Sequence, residues 1–170
     1  MKIGVVADSH DNMPAVRRLV EMFNELELEW LVHAGDIVAP FAAKEFRKFS
    51  GRLVAVFGNN DGEKRGLKRI LDEIYYPPQT FEIDGRRILV AHEIAEVAPR
   101  PADKRPDMII CGHTHEALIG STTEAGLEEA VGDGITFLNP GECCGYLTGR
   151  CTAAVVDLDG LKTEIVEIRL

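Results

Sequence analysis

The chain has 170 residues, 45% of them hydrophobic and 28% charged, with a formal net charge of −9. That length predicts one domain that buries roughly two-thirds of its unfolded surface, with the composition of an ordinary globular protein. The acidic balance argues against extended nucleic-acid binding and against docking on anionic membrane, and no run of about 18 uncharged apolar residues offers a transmembrane span.

The opening MKIGVVADSHD meets Asp8 too early for a signal peptide. Lys2–Ala7 is predicted instead as a strand buried on both faces, and the cytoplasm is the expected compartment. Met13, Val16, Leu19, Val20, Phe23 and Leu26 recur at helical spacing, with Asn12 as cap and Pro14 in the first turn. Trp30–Ala34 and Leu53–Phe57 read as strands, Ala39–Phe49 and Glu63–Ile74 as helices. This β-α-β-α-β rhythm predicts parallel strands with right-handed crossovers.

After Pro77-Pro78 the pattern changes. Phe81–Asp84 and Arg86–Ala91 flank Gly85 as a hairpin, and proline-rich Val97–Pro106 reads as a loop. Met108–Cys111, Ile135–Leu138, Thr152–Leu158 and Thr163–Ile168 are further strands, the last two joined across Asp159-Gly160, a hairpin turn signal. The expected fold class is α/β: two sheets packed together with helices outside. Cys111, Cys143, Cys144 and Cys151 form no C-x-x-C pair, so reduced, partly buried thiols are expected.

Short polar clusters close most of the predicted strands: Asp8-Ser9-His10, Gly35-Asp36, Gly58-Asn59-Asn60-Asp61, His92, and Gly112-His113-Thr114-His115. Each has a bland reading, since Asp36 could cap a helix and Gly58–Asp61 could be a turn. Jointly they say more. The chain has five histidines, and four of them fall at these strand ends; the fifth, His33, reads as a strand-end or supporting residue. Asp8-x-His10 is expected to aim two side chains one way through extended backbone. Two Asp, one Asn and four His suit divalent metals of borderline hardness (Mn, Fe, Co, Ni or Zn). Seven ligands exceed one tetrahedral ion but fit a pair sharing a carboxylate. The residues point to a two-metal hydrolase.

The order DxH, GD, GNxD, H, GHTH and then Asn139-Pro140-Gly141 resembles the calcineurin-like metallophosphoesterase superfamily over essentially the whole chain, and its compactness resembles the small prokaryotic phosphodiesterases of that group. The resemblance implies a four-layer α-β-β-α sandwich of two mixed β-sheets flanked by helices. It implies one ion on Asp8, His10, Asp36 and His115 and a second on Asp36, Asn59, His92 and His113, with manganese favoured. A water or hydroxide between the ions would attack a small phosphate-ester substrate, a diester rather than a monoester. Asn59 would also help position a phosphate oxygen, and Asp61 would orient a neighbouring ligand. The same resemblance extends to a retromer subunit of eukaryotes, a protein-binding scaffold, which is the alternative, and a homo-oligomer is compatible with either. Three positions depart from the common pattern: Asn60 where many relatives have His, Glu93 after the His92 motif, and Glu142 where Ser is common. They bear on the general acid and on substrate recognition.

Overall fold

The structure is a computed structural model describing residues 1–170. In chain order the elements are β1 (Lys2–Val6), α1 (Met13–Glu25), β2 (Trp30–His33), α2 (Pro40–Phe46), β3 (Arg52–Val56), α3 (Lys64–Ile70), β4 (Ile74–Tyr75), β5 (Gln79–Ile83), β6 (Arg86–Val90), β7 (Met108–Ile110), β8 (Ala117–Ser121), α4 (Glu128–Val131), β9 (Thr136–Pro140), β10 (Thr152–Asp157) and β11 (Lys162–Glu167). Two 3₁₀ turns, Ile94–Glu96 and Ala102–Lys104, lie between β6 and β7.

The strands form two mixed sheets, ordered β11-β10-β1-β2-β3-β4 and β5-β6-β7-β9-β8. Strands β1 to β4 are parallel, as are β6, β7 and β9; β10, β11, β5 and β8 pair antiparallel. Side-chain alternation stacks the layers. Ile3 and Val5 of β1 meet Ile88 and Val90 of β6 and Met108 and Ile110 of β7 between the sheets. Val6 faces the other way, onto Val16, Leu19 and Phe23 of α1 and Phe46 of α2. Each such large apolar side chain contributes about 1.5–3 kcal/mol on full burial. The outer face of the second sheet is covered more thinly, with Leu89, Ile109 and Phe137 under Val97, Leu127 and Val131.

The four-layer arrangement is therefore as the resemblance implied, although its fourth layer is one short helix and irregular chain. Helix α3 ends earlier than the sequence spacing predicts. Leu71 is already extended, at φ −107° and ψ 110°, and Ile74-Tyr75 leaves the helix to pair with β3. Strand β8 and helix α4 were not expected. No helix is long and apolar enough to cross a membrane.

The register brings the strand ends together. Val6, His33 and Ala55 lie side by side across β1, β2 and β3, and Val90 and Ile110 do so across β6 and β7. Every candidate ligand lies a few residues beyond one of these lines, at the carboxyl ends of parallel strands where α/β sheets bind ligands.

Candidate metal centre

All seven predicted ligands converge, three on either side of Asp36. On one side, the Asp8 carboxylate and the His10 and His115 imidazoles offer ligand atoms within 4.8 Å of one another. His115 Nε2 is 3.5 Å and His10 Nε2 3.8 Å from Asp8 Oδ1, and the two rings stack at 5.1 Å. On the other side, Asn59 Oδ1 is 2.8 Å from His92 Nε2 and 3.1 Å from His113 Nδ1. Between them, Asp36 Oδ2 is 3.4 Å from both His10 Nε2 and His92 Nε2.

The ligands arrive by a different backbone route from the extended one expected. Asp8, His10, Asp36, His113 and His115 have φ of 51°, 37°, 61°, 68° and 64°, all left-handed. Asp and His tolerate that region better than most residues, yet each still costs roughly 1–2 kcal/mol. Such strain persists only where neighbours over-determine it. Here the amides of Ser9 and His10 both donate to Asp36 O, Cys144 N donates to Asp8 O, and His113 N donates to Asp8 Oδ2 at 3.0 Å. Close approach adds a further constraint: a Cβ on Gly58 would strike the Asp36 carboxylate, so the loop after β3 needs glycine there.

Supporting residues surround this centre. His33 is fully buried; its Nδ1 accepts from Gly35 N at 3.2 Å and its Nε2 meets Ser9 Oγ at 3.0 Å. Burial keeps it neutral, with a pKa of about 3, and with both ring nitrogens engaged it braces the loops after β1 and β2. Asp61 also sits behind the site, accepting from Gly58 N, Val38 N and Asp36 N at 2.7, 2.6 and 3.2 Å. Burial raises its pKa against these hydrogen bonds. Asn60 faces Asp36, donating from Nδ2 to Oδ2 at 2.7 Å and from its amide to Oδ1 at 2.8 Å. Glu93 forms a capping box with Glu96 on the Ile94–Glu96 turn. Asn139 Nδ2 donates to Gly112 O at 2.8 Å and to Thr114 Oγ1 at 3.0 Å, bracing the loop that carries His113 and His115. Residue spacing gave no sign of that brace, nor of the bond from His115 Nδ1 to Glu142 Oε2 at 2.7 Å; the one pointer to Glu142 was its departure from the common Ser.

The electrostatics call for a cation. Burial lowers the His92 pKa, but the Asp36 carboxylate, the Ala34 carbonyl and Asp8 outweigh it and lift it to about 9. Asp8, Asp36 and their charges also raise His10, partly offset by burial. Burial opposes ionisation of Asp36, yet His92 and Asn60 hold it well below the usual carboxylate range. His92 Nδ1 contacts Ala34 O at 2.8 Å, which directs the Nε2 lone pair of the neutral ring toward Asn59 Oδ1 and Asp36. Asp8 Oδ1 and His10 Nε2 are buried without a hydrogen-bond partner. Converging lone pairs and orphaned acceptors fit divalent metal ions, and the absence of thiolate from the set fits metals that accept oxygen and imidazole.

Comparison with known proteins places the chain in a family. The family described as calcineurin-like phosphoesterase superfamily domain matches residues 1–161. The chain is 37% identical to phosphodiesterase MJ0936 of Methanocaldococcus jannaschii, over 100% of this chain and 99% of that protein. It is 27% identical to phosphodiesterase YfcE of Escherichia coli, over 68% of this chain and 70% of that one. Among solved structures, an archaeal phosphodiesterase superposes with a TM-score of 0.79 at 31% identity, covering 98% and 99% of the two chains. Vps29 of Chaetomium thermophilum superposes at 0.65 with 15% identity, covering 98% and 95%, a likeness of fold.

Proposed function

Because this chain belongs to the calcineurin-like phosphoesterase superfamily, we propose that it is a phosphodiesterase of small phosphate esters that works with two divalent transition-metal ions, manganese favoured. Asp8, His10 and His115 with Asp36 would hold one ion, and Asn59, His92 and His113 with Asp36 the other. The observation that carries this reading is the position of Asp36 Oδ2, equally distant from His10 Nε2 and His92 Nε2 at 3.4 Å. When bound, two such ions acidify water into a nucleophile and draw charge from a phosphoryl oxygen.

The chain's own residues do the rest. With two dications bound, the Asp8 and Asp36 charges would leave the centre at about +2, which would let an acidic protein attract a phosphate ester. Asn59 presents its amide at the rim, where it can also steady a phosphate oxygen. A groove of about 230 Å³ opens beside Asn59, lined by Phe57, Lys64, Tyr76, Pro77, Glu93 and Glu96, and would take the organic part of the substrate. Preference for diesters rests on the relatives named phosphodiesterases. A scaffold resembling Vps29 has the same fold, but that role needs no convergence of seven ligand atoms, so the hydrolase is favoured.

Elemental analysis with assays on aryl phosphodiesters and monoesters tests this. Chelation should abolish hydrolysis, and Mn²⁺, Ni²⁺ or Co²⁺ should restore it with two ions per chain. Asp36→Ala should lower occupancy of both ions and Asn59→Ala mainly of one. Full activity in metal-free protein, or two ions retained by Asp36→Ala, would refute the proposal.

A further inference from the structure

Glu142 is fully buried, and everything it touches is a donor. Its Oε2 accepts from His115 Nδ1 at 2.7 Å, Cys144 Sγ at 3.1 Å, Tyr146 N at 3.0 Å and Leu147 N at 3.1 Å. Its Oε1 accepts from Leu147 N at 3.0 Å, Thr148 N at 2.5 Å and Thr148 Oγ1 at 2.7 Å. No Lys or Arg pairs with it; its one ion-pair partner is His115. A carboxylate suits this place because both of its oxygens accept, whereas an amide or a protonated acid would point a donor at donors. The amides of Tyr146, Leu147 and Thr148 cannot reverse their sense. The His115 imidazole can, by moving its proton from one ring nitrogen to the other.

We propose that Glu142 is a positioning residue that fixes the tautomer of His115 and locks that ring to the Tyr146–Thr148 turn. By accepting the Nδ1 proton it leaves Nε2 bare, 3.5 Å from Asp8 Oδ1 and facing the side of the centre shared by Asp8 and His10. This deepens the reading of His115 as a metal ligand, and rests on it. A carboxylate behind a ligating imidazole orients the ring and raises its basicity, and loss of such a partner typically costs about 10- to 100-fold in metal affinity. Here one buried side chain would do this while tying down a turn that carries the exposed side chains of Tyr146 and Leu147.

Glu142→Gln separates the two duties. A glutamine oxygen in the place of Oε1 keeps Leu147 N and Thr148 N, gives up Tyr146 N, and turns the amide nitrogen toward His115. The imidazole must then accept on Nδ1 and carry its proton on Nε2. Nitrogen-15 NMR of the metal-free, full-length protein, at a pH where the ring is neutral, should show Nδ1–H in the native protein and Nε2–H in Glu142→Gln. Titration with Mn²⁺ should show one of the two ions bound about 10- to 100-fold more weakly in the variant. Thr148→Val removes a hydroxyl donor from the same carboxylate and should leave tautomer and affinities unchanged. An Nδ1–H ring retained in Glu142→Gln would overturn the proposal. So would a native ring protonated on Nε2, a result that stands even if the variant fails to fold. A switched tautomer with both ions bound at native affinity would uphold the positioning role and remove His115 from the ligand set.

Discussion

At the scale of single residues, Asn60 shows how one departure from a family pattern changes the chemistry on offer. Its side chain is exposed to solvent yet donates to Asp36 Oδ2 at 2.7 Å, so it is neither a bystander of the turn nor turned away from the centre. An amide cannot release a proton at neutral pH, so protonation of the leaving group must come from water or another group. Aryl esters, whose leaving groups depart as stable anions, should therefore be hydrolysed much faster than alkyl esters. Asn60→His should help poor leaving groups by ~10²-fold, while giving up the bond to Asp36. Plotting rate against leaving-group pKa for both proteins measures this; identical slopes with both metals retained would end any such role for position 60. Glu142, another departure near the ligands, was recognisable in the sequence as unusual. Its partner His115 lies 27 residues away, and no local pattern encodes a contact at that separation.

At the scale of elements, the legible parts were those with long periodic signals. The apolar run of β1 and the stripe of Val16, Leu19, Val20 and Phe23 in α1 repeat often enough to distinguish strand from helix. Strand β4 is two residues long, too short for any period. Strand β8 is an edge strand that leaves Leu118 and Ile119 exposed, so it lacks the alternation of a half-buried strand. The candidate ligands could be picked out because they follow strands, but their left-handed turns could not, since tertiary hydrogen bonds impose those conformations. Asp61 is the clearest of these ties. It joins the loop after β3 to the loop after β2 through the Asp36 and Val38 amides, and accepts from Gly58 N in its own loop. Asp61→Ala would strand those donors at roughly 1 kcal/mol or more apiece. For a chain of this size the melting temperature should fall on the order of 10 °C, and Mn²⁺ occupancy should fall with it because Asp36 loses its support. Calorimetry on both proteins decides this; an unchanged melting temperature would mean that water or a relaxed loop satisfies the amides.

At the scale of the whole molecule, two buried histidines give the metal-free protein opposite responses to pH. His33 is held near 3 by burial, against an ordinary value of 6.5. The unfolded chain binds a proton there that the folded one refuses, so stability falls as pH drops below 6.5 toward 3. His92 is raised to about 9 by Asp36, Ala34 and Asp8 in spite of its burial. Its contribution is fully present below 6.5 and is lost as pH rises toward 9. The depressed Asp36 adds stability that acid removes only below its ordinary 3.8. Metal-free protein should therefore melt highest near pH 6.5 and lower on both sides. On the proposed ligand set, a divalent ion would change the alkaline limb, because it would take the place of the His92 proton and have to displace that proton to bind. The stabilisation from saturating metal, about 2.7 kcal/mol at 100 times Kd, should accordingly grow as pH rises from 6 to 8.5. Melting curves in EDTA and in Mn²⁺ across that range test the coupling. A metal-induced rise in Tm that is the same at every pH would show that His92 keeps its proton beside the ion, and would remove it from the ligand set.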